Sequence, residues 1–192
     1  MEITPFFREV RALIRQHRKI IAIASAIMFV SLFIFKATFK DMVFISAMFG
    51  IAMLSIIPKK KMRELPFEIE LSIMPTVLIG TIYGSVFGAV FGAVVAALTE
   101  IISAHIDMET FFEIFGLAAV GFVSFFLSGN SIFLSGMLMT VFYALVSQGI
   151  LFMMGDEQQR GEDVIQSAIY LLTNFFLFRF IAPLLLLAYT LL

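Results

Sequence analysis

The stretch Gly80–Glu100, GTIYGSVFGAVFGAVVAALTE, places a small residue at every fourth position: Gly80, Gly84, Gly88, Gly92 and Ala96. The next step of the row lands on the carboxylate Glu100. A glycine inside a helix costs about 1 kcal/mol relative to alanine, so a row of them needs a compensating gain. From Leu71 to Ser103 the only charge is Glu100. As one helix this segment would be about 50 Å long, against a hydrocarbon core of ~30 Å. It must break, and Gly80, Gly84 and Gly88 are the candidate places. Either a tight turn at Gly84-Ser85 makes two helices, or 66–83 forms a re-entrant element, irregular at Pro66 and Pro75. Residues four apart drift by about 40° per step, so Gly80 and Glu100 do not share a face of one straight helix. Gly84, Gly88, Gly92 and Ala96 are the expected helix-packing positions, an inclined stripe on which a neighbouring helix approaches to backbone contact. The alternative is a sliding contact in a transporter.

Working outward, composition leaves few classes. Of 192 residues, 61% are hydrophobic, 24 are Phe and only 14% are charged. A soluble domain of this length cannot bury so much apolar surface, so the lipid bilayer is the expected solvent. The chain has no cysteine, which excludes disulfides, thiol chemistry and Cys-ligated metals. His17 and His105 lie too far apart in sequence to suggest a metal site. A formal net charge of −1 with no basic domain gives no nucleic-acid footprint. Zinc-hydrolase, serine-hydrolase and P-loop motifs are missing, as is a D-x-D pair. The expectation is a non-enzymatic protein without cofactor or metal. Glu68 and Glu70 read as local charge balance beside a basic cluster.

Apolar runs at 20–35, 42–57, 66–83, 85–104, 111–127, 131–153 and 165–191 predict an all-α, polytopic transmembrane helical bundle of six or seven spans. Residues 1–19 stand apart from the transmembrane domain 20–192. In them Arg8, Arg11, Arg15, Arg18 and Lys19 interleave with Phe6, Phe7, Val10, Leu13 and Ile14. That pattern suits an amphipathic helix on the membrane surface or a plain orienting flank. No A-x-A-type site follows it, so it does not read as a cleavable signal. The positive-inside rule places this segment and the cluster Lys59, Lys60, Lys61 and Arg63 in the cytoplasm. The localisation that follows is the cytoplasmic (inner) cell membrane, multi-pass, with a cytoplasmic N-terminus.

Four polar residues within the apolar runs are candidate substrate contacts: Glu100, Gln148, Asn174 and Arg179. Glu100 is either an interfacial carboxylate or part of a cavity wall. Arg179 stands far from any other charge in its run, and an intramembrane arginine needs a partner or a function. Glu70, Glu100 and Glu113 are the carboxylates available to it. Pro183 lacks the N–H that would bond the Arg179 carbonyl, which predicts a kink there.

The segment PFEIELSIMPTVLIGTIYGSVFGAVFGAVVAALTEIISAHI, from Pro66, resembles the second and third helices of the S components of energy-coupling factor transporters. FFEIFGLAAVGFVSFFL, with Gly116, Ala119 and Gly121, resembles the helix that follows. Ala22-xxx-Ala26 is similar to the motif by which that family docks on its coupling subunit. Relative to S components this chain has one hydrophobic segment too many, 42–57, and Gly84-Ser85 where Gly-Pro is usual. The same helical plan recurs in the rod-shape protein MreD, whose closing run is similar to Ala182–Leu185. The first resemblance implies a membrane subunit that captures vitamin-like small molecules and partners a transmembrane coupling subunit with ABC-type ATPases. The second implies a scaffold for envelope or cytoskeletal partners.

Overall fold

The uncharged stretch breaks at Gly84, where φ is 101°. An L side chain rarely adopts that backbone conformation, so glycine is what the turn requires. The computed structural model describes residues 38–61, 69–103, 108–154 and 157–191. The described residues are all-α. In chain order they form α1 (Phe39–Met53), α2 (Ile56–Lys61), α3 (Ile73–Tyr83), α4 (Ser85–Ser103), α5 (Met108–Ser124), α6 (Ile132–Met154), α7 (Glu157–Phe176) and α8 (Ala182–Leu191). A 3-10 turn, Phe125–Leu127, follows α5, and a π-helical turn, Leu177–Ile181, joins α7 to α8. The basic segment 1–19, the run 20–35, Pro66, Glu68 and His105 lie outside the described residues.

Four helical runs are long and apolar enough to cross a membrane: Phe39–Lys59, Ser85–Ser103, Thr110–Leu127 and Val164–Leu191. Ile73–Tyr83 and Ile132–Ser147 are apolar but shorter. At 1.5 Å per residue α3 is about 16 Å long, roughly half a hydrocarbon core. Phe111, Phe115, Phe122 and Phe126 lie exposed on one face of the α5 run, as side chains turned toward lipid would.

Glycine sets the contact between α3, α4 and α5. A Cβ on Gly88 would strike the Gly121 carbonyl oxygen of α5, and one on Gly121 would strike the Gly88 carbonyl in return. A Cβ on Gly92 would strike the Leu117 carbonyl and come within 2.9 Å of Thr76 Cγ2 on α3. A Cβ on Gly80 would meet Ser124 Oγ and the Gly121 oxygen. Backbones therefore touch along this seam, and dispersion between them offsets the poor helix propensity of glycine. Ala96 is buried on the same helix. Gly84 is a correction: a Cβ there would meet nothing within 4 Å. It serves the turn and makes no helix-packing contact.

At one end of the bundle Asp41 ties three elements together. Its Oδ2 accepts hydrogen bonds from the Thr38 N–H at 2.8 Å and the Thr38 hydroxyl at 2.6 Å, which caps α1. Its Oδ1 accepts from Tyr83 at the end of α3 (3.0 Å) and Tyr189 in α8 (2.9 Å). Lys40 Nζ sits 4.2 Å from the centre of the Tyr189 ring. At the opposite end Ser55, after α1, bonds Glu70, ahead of α3. Helix α3 thus runs antiparallel to α1.

Gly88→Leu or Gly92→Leu should destabilise the fold by a few kcal/mol, because backbone cannot yield to the new side chain. Gly50→Leu, where a Cβ meets nothing within 4 Å, should change little. Thermal unfolding of the three variants in detergent checks this, and equal melting temperatures would refute the seam.

Candidate functional site

Pro58 begins the path to the site. Lacking an N–H, it leaves the Leu54 carbonyl without its usual helical donor. Ile57 N–H bonds that carbonyl instead, at 3.1 Å, in a tight turn between α1 and α2. The turn is continued by bonds from Leu54 to Ile51 and from Ser55 to Ala52, both 3.1 Å. Lys59 follows at the end of the run and is only 4% exposed.

Three carboxylates from three other parts of the chain converge on its ammonium. Lys59 Nζ donates to Glu113 Oε2 of α5 at 2.8 Å and, in a shorter contact, to Glu100 Oε1 of α4. Glu70 Oε2, ahead of α3, lies 3.6 Å away. All three carboxylates are buried. Glu70 is held by further donors: Ser55 hydroxyl at 3.2 Å and Ser72 N–H at 2.8 Å, both to Oε1. Ser55 Oγ in turn accepts from the Leu71 N–H at 2.9 Å and shares a hydrogen bond with Ser72 Oγ at 3.2 Å. Taking charges out of water costs several kcal/mol per ion, and only close pairing plus satisfied lone pairs makes up for it. Here the pairing is close, yet among the described residues three carboxylates share one ammonium.

Two tyrosines adjoin this cluster. Tyr143 of α6 and Tyr170 of α7 are fully buried, with ring centres 5.6 Å apart. Both lie within electrostatic reach of Glu113, Glu70 and Lys59. The Tyr143 ring rests on Gly116, where a Cβ would lie 3.1 Å from it, one helical turn beyond Glu113. Tyr170 bonds Gln166, whereas the Tyr143 hydroxyl has no hydrogen-bond partner among the described residues.

The four residues singled out from sequence do not form one site. Glu100 belongs to the Lys59 cluster. Asn174 is fully buried; its Nδ2 donates to the Tyr170 carbonyl at 3.0 Å and its Oδ1 is unpartnered. The Gln148 side chain lies outside the described residues. Arg179 has no ion pair among the described residues. Its guanidinium is exposed, 5.9 Å from the centre of the Phe133 ring. Glu70, Glu100 and Glu113, the carboxylates expected for Arg179, are engaged by Lys59 instead. Glu70 is buried and pairs with Lys59 of the basic cluster beside it.

The kink expected at Arg179 takes the form of the π turn Leu177–Ile181, in which Ala182 N–H bonds the Leu177 carbonyl. Pro183 removes the donor that Arg179 would otherwise receive, and one extra residue per turn absorbs the loss. The turn drives Phe178 onto Gly136 of α6, where no Cβ would fit. No known protein family, curated protein or solved structure matches this chain.

Lys59→Met should cost about 3–5 kcal/mol, because it leaves buried carboxylates uncompensated. Arg179→Leu, on an exposed face, should cost much less. Parallel thermal denaturation in detergent tests the order, and a larger loss at Arg179 would contradict the placement of the charges.

Proposed function

We propose that this protein is a substrate-capture subunit for small-molecule uptake in the cytoplasmic membrane, similar to S components, with the Lys59 cluster as the polar part of its ligand site. The observation that carries the reading is the buried convergence of Lys59, Glu70, Glu100 and Glu113, three of them near the ends of candidate spans. Ionisable groups in such places are costly, and they mark ligand or ion sites more often than they serve packing. In this reading the chain crosses the membrane six or seven times, and its N-terminus is cytoplasmic. It has no ATPase of its own and works with a coupling subunit and an ABC-type ATPase pair.

One observation favours a second reading, an MreD-like scaffold. The run Val164–Leu191 leaves most of its apolar surface exposed, with Arg179 on it. A face of that kind suits a partner protein in the membrane as well as it suits lipid.

Mild-detergent affinity purification from native membranes separates the two. Co-purification of a transmembrane coupling protein with an ATPase pair is the expected result; envelope or cytoskeletal proteins in their place would favour the scaffold. Because the chain has no cysteine, single replacements report topology cleanly. Ala12→Cys should resist a membrane-impermeant thiol reagent in intact cells and react after lysis. Labelling in intact cells would reverse the orientation.

A further inference from the structure

We infer that the Lys59 cluster binds a ligand bearing an ammonium group, seated between Glu113 and the Tyr143–Tyr170 pair. This rests on the reading of the cluster as a ligand site and adds the class of ligand. Charge is the first argument. Among the described residues Glu70, Glu100 and Glu113 converge on a single cation, Lys59, so acidic side chains outnumber basic ones there. An anionic ligand would add to that excess, and a cation relieves it.

Position is the second argument. Glu113 is the most accessible of the three, with 11% side-chain exposure against 5% for Glu100 and 1% for Glu70. Glu70 is already held by two further donors. Glu113, which accepts from Lys59 through Oε2, is therefore the member of the cluster that a second cation would reach first.

Tyr143 is fully buried, its ring lies against Gly116, one turn from Glu113, and its hydroxyl has no partner among the described residues. An unmade hydrogen bond in such a place is costly unless something else supplies it. A phenolic oxygen accepts from an N–H donor, and two tyrosine rings next to carboxylates supply the aromatic faces on which ammonium groups are recognised. A metal ion is a poorer fit, because the described residues include no group of acidic or histidine side chains arranged to hold one.

The test uses the full chain in detergent or nanodiscs, with ethylammonium and tetramethylammonium chloride as probes and sodium chloride at equal ionic strength as control. One or both ammonium probes should raise the thermal midpoint saturably, beyond the effect of sodium. In Glu113→Gln, which leaves Lys59 its contacts with Glu100 and Glu70, the half-saturating concentration should rise by roughly tenfold or more. Tyr143→Phe removes only the unpartnered hydroxyl, so the unliganded protein should be no less stable. It should nevertheless bind ethylammonium, the probe with N–H donors, more weakly, a change that a purely structural tyrosine would not produce. A response no larger than that to sodium, or one unchanged in both variants, would overturn the inference. Capture of a neutral or anionic compound together with indifference to ammonium would also overturn it, while leaving the uptake role intact. Ammonium binding without any coupling partner would instead sustain the site and remove the uptake role.

Discussion

Backbone contact between α3, α4 and α5 is the constraint on which the rest of the structure depends. Gly88 against Gly121, and Gly92 against Leu117, bring helix axes closer than any side chain would allow. In lipid, where apolar side chains gain nothing by leaving the solvent, this close packing is a main source of helix association. It also decides the electrostatics. Glu100 lies two turns beyond Gly92 on α4, and Glu113 one turn before Leu117 on α5. The seam therefore delivers both carboxylates to the same end of the helix pair, where the ammonium of Lys59 reaches both.

The two ends of the bundle differ in kind. Around Asp41 a single carboxylate accepts from a threonine cap and two tyrosine hydroxyls, a neutral-donor clasp that fixes α1, α3 and α8. Around Lys59 an ammonium faces several carboxylates, and the adjoining Tyr143 hydroxyl is unsatisfied. A fully satisfied polar network rigidifies and specifies a fold, whereas an unpaired buried polar group is costly. The proposed ligand site lies at the lysine end, and the aspartate end ties α1, α3 and α8 together.

Much of this was legible in the chain. A charge-free stretch too long for a bilayer must break, and glycine spacing identified both the break near Gly84 and the stripe that packs. Glu100 stood out as a charge at the end of an apolar helix, and the kink at Arg179 followed from Pro183. What the sequence concealed was pairing. Lys59 is the first member of a run with Lys60, Lys61 and Arg63, and such runs read as interfacial charge. Lys59 is nevertheless buried, just after the turn at Pro58. Arg179, more isolated in sequence, attracted the carboxylates on paper while the fold gave them to Lys59. Asp41 and Tyr189 are 148 residues apart, and no local pattern connects them. The seat of Phe178 on Gly136 depends on the phase shift of a π turn, which periodicity does not encode.

The central claim is that Lys59 and the carboxylates brought together by the glycine seam form one energetically coupled unit. A double-mutant cycle of Lys59→Met with Glu100→Gln, read as unfolding free energies in detergent, measures that coupling directly. The account predicts that removing the carboxylate costs far less once the lysine is gone, with an interaction energy of about 1–3 kcal/mol, as for residues in one buried network. Strictly additive losses would mean that the two charges do not meet, and would contradict it.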